Sequence, residues 1–177
     1  SLEELLEALT SSRSMERIRL SSLDPQEVSD RLISLIASSY ILCHHLHIPL
    51  QSGDNEILRA MGRRYSTLEV EALIMRIKEK IPDMAIGMDV IVGFPGEKER
   101  HFKNTLSLLE RIPFTYLHVF PFSPRQGTYA ATLRDRIPSG IIKGRSEILR
   151  RMSDARKASF YKEFVGRELD VLVESRK

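Results

Sequence analysis

The stretch Ala85-Ile86-Gly87-Met88-Asp89-Val90-Ile91-Val92, followed at once by Gly93-Phe94-Pro95-Gly96-Glu97, decides the fold. Its nearly continuous apolar and β-branched run predicts a strand covered on both faces, as in a parallel sheet, and the glycine- and proline-rich tetrapeptide behind it stops that strand sharply. Asp89 is the one charged residue inside the run. An ionised carboxylate among apolar neighbours is costly unless it is paired or faces a wet cavity, so Asp89 marks a candidate site.

The flanking patterns are helical. Val70, Leu73, Ile74, Ile77 and Ile81 share one face of an amphipathic helix, with Thr67 near its start and Pro82 just past its end. Downstream, a helix carrying Phe102, Leu106 and Leu109 runs to Ile112 and Pro113. Farther out lie more strands. Residues 44–50 alternate, with Leu46, Ile48 and Leu50 on one side and His45, His47 and Pro49 on the other, and Tyr116 to Phe120 form another strand. Ile18 and Leu20 alternate with Arg17 and Arg19 as a first strand, and Asp24-Pro25 then opens a helix through Val28, Leu32, Leu35 and Ile36. A long basic helix is expected over about 139–164, with Ile148, Met152 and Ala155 on its buried side, and Glu168 to Val173 read as a closing strand.

Strands alternating with helices predict βα units around a parallel sheet, hence an α/β fold. Four such units precede the tail in a chain of 177 residues, half of the eight that close a barrel of about 250 residues. The expected architecture is either an open α/β sheet or a piece of a larger barrel.

Composition bounds the function. With 42% hydrophobic and 29% charged residues the chain can bury a core and is not a disordered polyelectrolyte. No apolar run approaches the ~18 residues that cross a bilayer, and the N-terminal Ser1 to Leu9 segment is acidic and amphipathic, unlike a secretory signal. A cytoplasmic protein without membrane contact is expected. The net charge of +3 is uneven: residues 1–60 hold 5 basic and 9 acidic side chains, residues 61–177 hold 22 and 15. Such a basic half suits a polyanion, most commonly nucleic acid, although a solvated helix face has the same composition. The single cysteine, Cys43, excludes an intrachain disulfide and any multi-cysteine metal or iron–sulfur site built by this chain alone. It fits a buried structural thiol better than a nucleophile.

In parallel α/β folds, ligands bind beyond the carboxyl ends of the strands. One end offers Gln51, Ser52 and Gly53, able to hydrogen-bond a sugar or base edge, though a plain turn with Asp54 as helix cap needs the same residues. The next offers Asp89 and the Gly93 turn, whose free N–H groups suit an anionic or polar ligand; it matches neither a Walker loop nor a dinucleotide fingerprint. The third offers Phe122 for stacking on a base and Arg125 for a phosphate. His45 and His47 share a strand face, but spacing supplies no third ligand, and no metal site is expected.

The segments His45 to Gly53, Met61-Gly62-Arg63-Arg64-Tyr65, Asp89 to Glu97 and Leu117 to Ser123 resemble the radical SAM methylthiotransferases. His118 to Ser123, with Arg17 to Ser22, is most like the branch acting on threonylcarbamoyl-adenosine in tRNA; the ribosomal-protein and isopentenyl-adenosine branches stay open. The resemblance spans about residues 2–175. It implies the second half of a radical SAM TIM-like barrel over residues 1–166, with 167–177 starting a truncated RNA-binding β-barrel domain. Family barrels open with C-x-x-x-C-x-x-C, whose thiolates hold a four-iron four-sulfur cluster. That motif is missing here, so the cluster ligands and the N-terminal cluster domain would lie on other parts of the polypeptide, no catalytic residue is assigned, and the chain alone would be inactive. S-adenosylmethionine is the implied cofactor and tRNA the implied partner. By position, Asp89, Ile91 and Gly93 match the strand lining the adenosine part of the cofactor, Gln51 and Ser52 a strand end facing the reacting centre, and Phe122 with Ser123 the strand beside the adenine. Arg63, Arg64 and Arg125 would meet the RNA. A stand-alone nucleic-acid-binding module and a phosphate-handling barrel enzyme are the readings from other classes.

Overall fold

The computed structural model describes residues 1–12 and 14–172. In order these form α1 (Leu2–Ser12), α2 (Asp30–Ser38), β1 (His45–Gln51), α3 (Asn55–Ala60), α4 (Thr67–Lys80), β2 (Ala85–Val92), α5 (Glu99–Arg111), β3 (Tyr116–Pro121), the single turn α6 (Tyr129–Thr132) and α7 (Ser139–Lys162). The strands make one parallel sheet in the order β1-β2-β3.

Period-two alternation divides the sheet into two unlike faces. Leu46, Ile48, Leu50, Ile86, Met88, Val90 and Val92 are at most 1% exposed and join Val70, Ile74, Ile77, Phe102, Leu108, Leu109 and Leu149 of the helices in one core. Each such side chain removed from water contributes roughly 1.5–3 kcal/mol. The opposite face carries His45, His47, Asp89, Ile91, Tyr116, His118 and Phe120, and Phe120 remains 49% exposed. β2 is therefore covered by helices on one face only, contrary to the expectation of two-sided burial. Its open face is polar at Asp89 and shaped as the inner wall of a partial (βα) barrel.

Two starts and one end differ from expectation. The segment at Ile18 forms a single parallel bridge to Leu42 in place of a strand. Ser22 takes a left-handed φ of 58° and breaks the extended run, and beyond it the backbone is tied to β1 by the Leu23 N–H, donated to His47 O at 3.1 Å. The helix expected from Pro25 is a 3-10 turn over Pro25–Glu27 capped by Asp24, after which Ser29 caps α2 by accepting from Leu32 N–H. Among the described residues, 168–172 have no strand partner: Leu169, Val171 and Leu172 are 56%, 76% and 68% exposed, and the segment's backbone is met by a side chain in place of a ladder, Arg17 Nη2 donating to Asp170 O at 3.1 Å. Val173 lies outside the described residues.

The long helix is present, but its inward face is Arg145, Ser146, Leu149 and Ser153, with Met152 at its margin; Ile148 and Ala155 are exposed. The reason is polar. β3 is a sheet edge, and Ser153 Oγ accepts its Leu117 N–H at 2.8 Å, while Arg145 is buried against Glu97.

Candidate functional site

The carboxyl ends of the three strands surround a cavity of about 580 Å³ lined by Gln51, Arg63, Asp89, Ile91, Phe120 to Ser123, Arg125, Thr128 and Ala130. Toward the middle of the sheet it meets a second hollow of about 420 Å³ that shares Asp89 and Phe120 and adds Arg19, Ser21, Ser22, His45, His47, Tyr116 and His118. Volumes of 300–1,000 Å³ with apolar walls and a few convergent polar groups are typical of small-molecule sites.

Gln51 reaches this cavity through an irregularity in β1. Ile48 pairs with Met88 but Gln51 with Val90, so β1 holds one extra residue there, next to Pro49, which has no N–H to pair. Gln51 itself adopts φ 65°, a left-handed conformation that costs a non-glycine residue on the order of 1–3 kcal/mol. The Tyr65 hydroxyl, buried behind the bulge, donates to Pro49 O at 2.6 Å and so satisfies a carbonyl the ladder has released. Burial pushes the Tyr65 phenol up to about 12.

Asp89 lies at the level of His118 on β3, and a polar chain crosses the sheet from it. His47 Nε2 is 2.7 Å from Asp89 Oδ1, and His118 Nδ1 is 3.3 Å from the same oxygen. His47 Nδ1 is 3.3 Å from the Tyr116 hydroxyl, which is 2.9 Å from His45 Nε2. The Arg19 guanidinium lies along the His45 ring, Nε donating to Nδ1 at 3.1 Å and Nη2 lying 2.9 Å from Nε2. Burial, and then the Arg19 charge, hold His45 below the ordinary histidine range.

Residues 1–109, more than half of the chain, match the radical SAM superfamily. The chain belongs to the radical SAM superfamily. It is 41% identical over 172 residues to a threonylcarbamoyladenosine tRNA methylthiotransferase of Aquifex aeolicus, a match covering 97% of this chain and 42% of that protein. It is 38% identical to a tRNA-2-methylthio-N(6)-dimethylallyladenosine synthase of Bacillus subtilis, covering 89% and 31%. The chain thus spans less than half the length of these curated relatives. Among solved structures, the radical SAM coproporphyrinogen III oxidase of Escherichia coli superposes with a TM-score of 0.68 at 18% identity, over 88% of this chain and 36% of that one. The radical S-adenosylmethionine methyltransferase TsrM of Kitasatospora setae superposes with 0.56 at 17% identity, over 67% and 24%. At such identities the superpositions speak for the partial-barrel fold alone.

Within this radical SAM barrel the structure brings Gln51, Asp89, Ile91, Phe122, Ser123, Arg63 and Arg125 to one cavity. Three expected residues are not on its wall. Ser52 is 1% exposed and accepts the Asp54 N–H at 3.2 Å, while Asp54 caps α3 through Glu56 and Ile57 N–H and takes the Asn104 amide at 2.7 Å. Here the turn-and-cap alternative holds. Gly93 is buried, its N–H donated to Glu97 Oε2 at 2.8 Å, and Gly96 N–H goes to Asp135 O, so these turn donors are spent within the protein. Arg64 is exposed outside the cavity. Phe122 packs edge-on against Phe94 at 5.3 Å with Arg136 over its ring at 5.7 Å, which leaves Phe120 as the freer aromatic face.

Sequence reasoning missed His118, Tyr116 and Phe120. They alternate on β3, so period two already placed them on one face; what it could not give was the register that sets His118 beside Asp89. It also missed the third potential ligand beside His47, since His47, Asp89 and His118 offer ligand atoms within 4.8 Å of one another.

Proposed function

We propose that this chain supplies part of the cofactor pocket of a radical SAM tRNA methylthiotransferase that adds a methylthio group to a modified adenosine next to the anticodon. The observation that carries this is the cavity at the strand ends, where Gln51 and Asp89 face Ile91, Phe120 and Phe122 in a chain 41% identical over nearly its whole length to a tRNA methylthiotransferase.

An adenosyl group fits that donor set. The Asp89 carboxylate and Gln51 amide suit ribose hydroxyls, Ile91 and the phenylalanines suit the flat adenine, and Ser123 adds a hydroxyl at the rim. When bound there, S-adenosylmethionine supplies the methyl-transfer and radical chemistry; the protein groups bind it, orient it and keep water from its apolar side. A four-iron four-sulfur cluster does not fit these residues, because one cysteine cannot replace the three or four thiolates it requires. Its ligands, the cluster domain and the RNA-binding domain belong in this proposal to the remaining polypeptide, with residues 167–177 leading toward the latter. Arg63 and Arg125 on the cavity wall, with Arg64 and the basic residues of α7 outside it, would meet the tRNA backbone in the cytoplasm. Among the described residues no helix is long and apolar enough to cross a membrane.

The test is expression of the full coding sequence in a host lacking its own methylthiotransferases, followed by mass spectrometry of tRNA nucleosides. The 2-methylthio form of threonylcarbamoyladenosine is expected. Unmodified tRNA beside a methylthiolated ribosomal protein would overturn the tRNA assignment.

A further inference from the structure

Gly87 carries the observation that the proposed function leaves unexplained. It lies on the open face of β2, two residues before Asp89, where a β-carbon would fall on the hydroxyl end of Tyr116 and 2.7 Å from His47 Nδ1. The side chains of β1 and β3 meet in the space that this glycine leaves free, bridging across the middle strand. On the far side of the His47 ring, Nε2 is 2.7 Å from Asp89 Oδ1, and the His47 side chain is only 7% exposed.

The donor and acceptor roles follow from the Asp89 end of this line. An ionised carboxylate only accepts, so His47 Nε2 must carry the proton that faces Asp89. In the neutral ring Nδ1 is then an acceptor, and the Tyr116 hydroxyl donates to it. The Tyr116 oxygen keeps a lone pair and lies 2.9 Å from His45 Nε2, while the Arg19 guanidinium sits against both ring nitrogens of His45. From the Tyr116 hydroxyl through the His47 ring to the carboxylate, the roles are consistent.

We propose that His47 is a positioning residue: fixed by Tyr116 through the gap over Gly87, it holds one oxygen of Asp89 so that the other accepts hydrogen bonds from hydroxyl groups of a ligand in the strand-end cavity. The ligand class, a ribosyl group, rests on the cofactor assignment above; the positioning itself does not. A metal ion held by His47, Asp89 and His118 is disfavoured by the same distances. Both histidines approach the same Asp89 oxygen, His47 at 2.7 Å, whereas ligands placed about 2.0–2.2 Å from a shared ion stand farther apart, and a metal would need Nε2 stripped of its proton.

Two measurements test the proposal, one on this chain and one on the full-length protein. Long-range proton–nitrogen correlation spectra at about pH 8 are expected to show His47 with a protonated Nε2 and a bare Nδ1. In Tyr116→Phe, which keeps the ring, the Nδ1 resonance should move to that of a non-bonded nitrogen while Nε2 keeps its proton. S-adenosylhomocysteine, titrated calorimetrically into the full-length protein, should bind Tyr116→Phe about 3- to 10-fold more weakly and His47→Ala about 10-fold or more, with His47→Gln, which retains an N–H near the Nε2 position, restored to within about 3-fold of the parent. A protonated Nδ1, an unmoved Nδ1 signal in Tyr116→Phe, zinc uptake that shifts Nε2, or equal affinity of parent and His47→Ala would each overturn the positioning role. The expected ring-nitrogen pattern with no binding to the full-length protein would uphold His47 as the anchor of Asp89 and sink the cofactor assignment instead.

Discussion

Tyr65 shows how a residue outside the cavity lining shapes the strand end that reaches it. Its hydroxyl spans a bulge, donating to Pro49 O at 2.6 Å, and the next residue but one is Gln51 with its left-handed φ of 65°. Tyr65→Phe removes one oxygen and leaves a buried carbonyl without its donor, a cost of about 1–3 kcal/mol. The Gln51 backbone should also relax, so both urea stability and S-adenosylhomocysteine affinity are expected to fall. The pH dependence has a definite sign. Because folding raises this phenol from 10.0 to about 12, it adds stability that is full below pH 10 and is lost as the pH climbs toward 12. The alkaline limb of the stability curve should therefore be shallower in Tyr65→Phe than in the parent; superimposable limbs would refute the linkage. Motif Met61 to Tyr65 was visible in the sequence, but Tyr65's partner was not, since a backbone carbonyl released by a bulge leaves no trace in residue types.

At the scale of elements, the helix–strand order was legible because apolar periodicity is set by burial on one face. α4 begins and ends where Thr67 and Pro82 said it would, and β1 to β3 lie within a residue or two of their expected bounds. The first and last strands failed for one reason: period-two alternation states that a segment could be a strand, whereas a strand needs an edge to pair with, and Ile18 and Glu168 to Leu172 lack one over more than a residue. The buried face of α7 was missed because it is polar where it meets β3 and the Gly93 turn. Arg145 Nη1 donates to Glu97 Oε2 at 2.7 Å, the same oxygen that accepts the Gly93 N–H. Gly93 is thereby an element junction: it has φ +81°, and a β-carbon there would lie 2.5 Å from Ile142 at the start of α7. Gly93→Ala should destabilise by about 2 kcal/mol or more, from the left-handed backbone plus the clash. Ile142→Ala should relieve only the clash, so the double variant is expected to be more stable than the sum of the two single changes predicts. Strict additivity in denaturant unfolding would show that α7 does not press on the turn.

For the whole molecule, the contrast between the two sheet faces governs what this chain can do alone. The helix-covered face supplies the core, and the open face carries the polar and aromatic groups of the proposed site. Cys43 serves neither face. It is half-buried before β1, its N–H donated to Ile18 O at 2.8 Å, and it is the chain's single thiol. Anaerobic incubation of the chain with iron and sulfide is therefore expected to yield no stoichiometric cluster absorbance, while S-adenosylhomocysteine still raises the melting temperature, since ligand at 100 times its Kd stabilises by about 2.7 kcal/mol without any iron. Asp89→Ala should reduce that thermal shift. The substitution spares the helix-packed core but leaves the His47 Nε2–H without its acceptor, so its unliganded melting temperature should fall modestly, and the ligand shift is read against that variant's own unliganded value. An undiminished shift would remove Asp89 from the pocket, and a stoichiometric cluster would mean that ligands other than cysteine thiolates can hold iron in this half of the barrel.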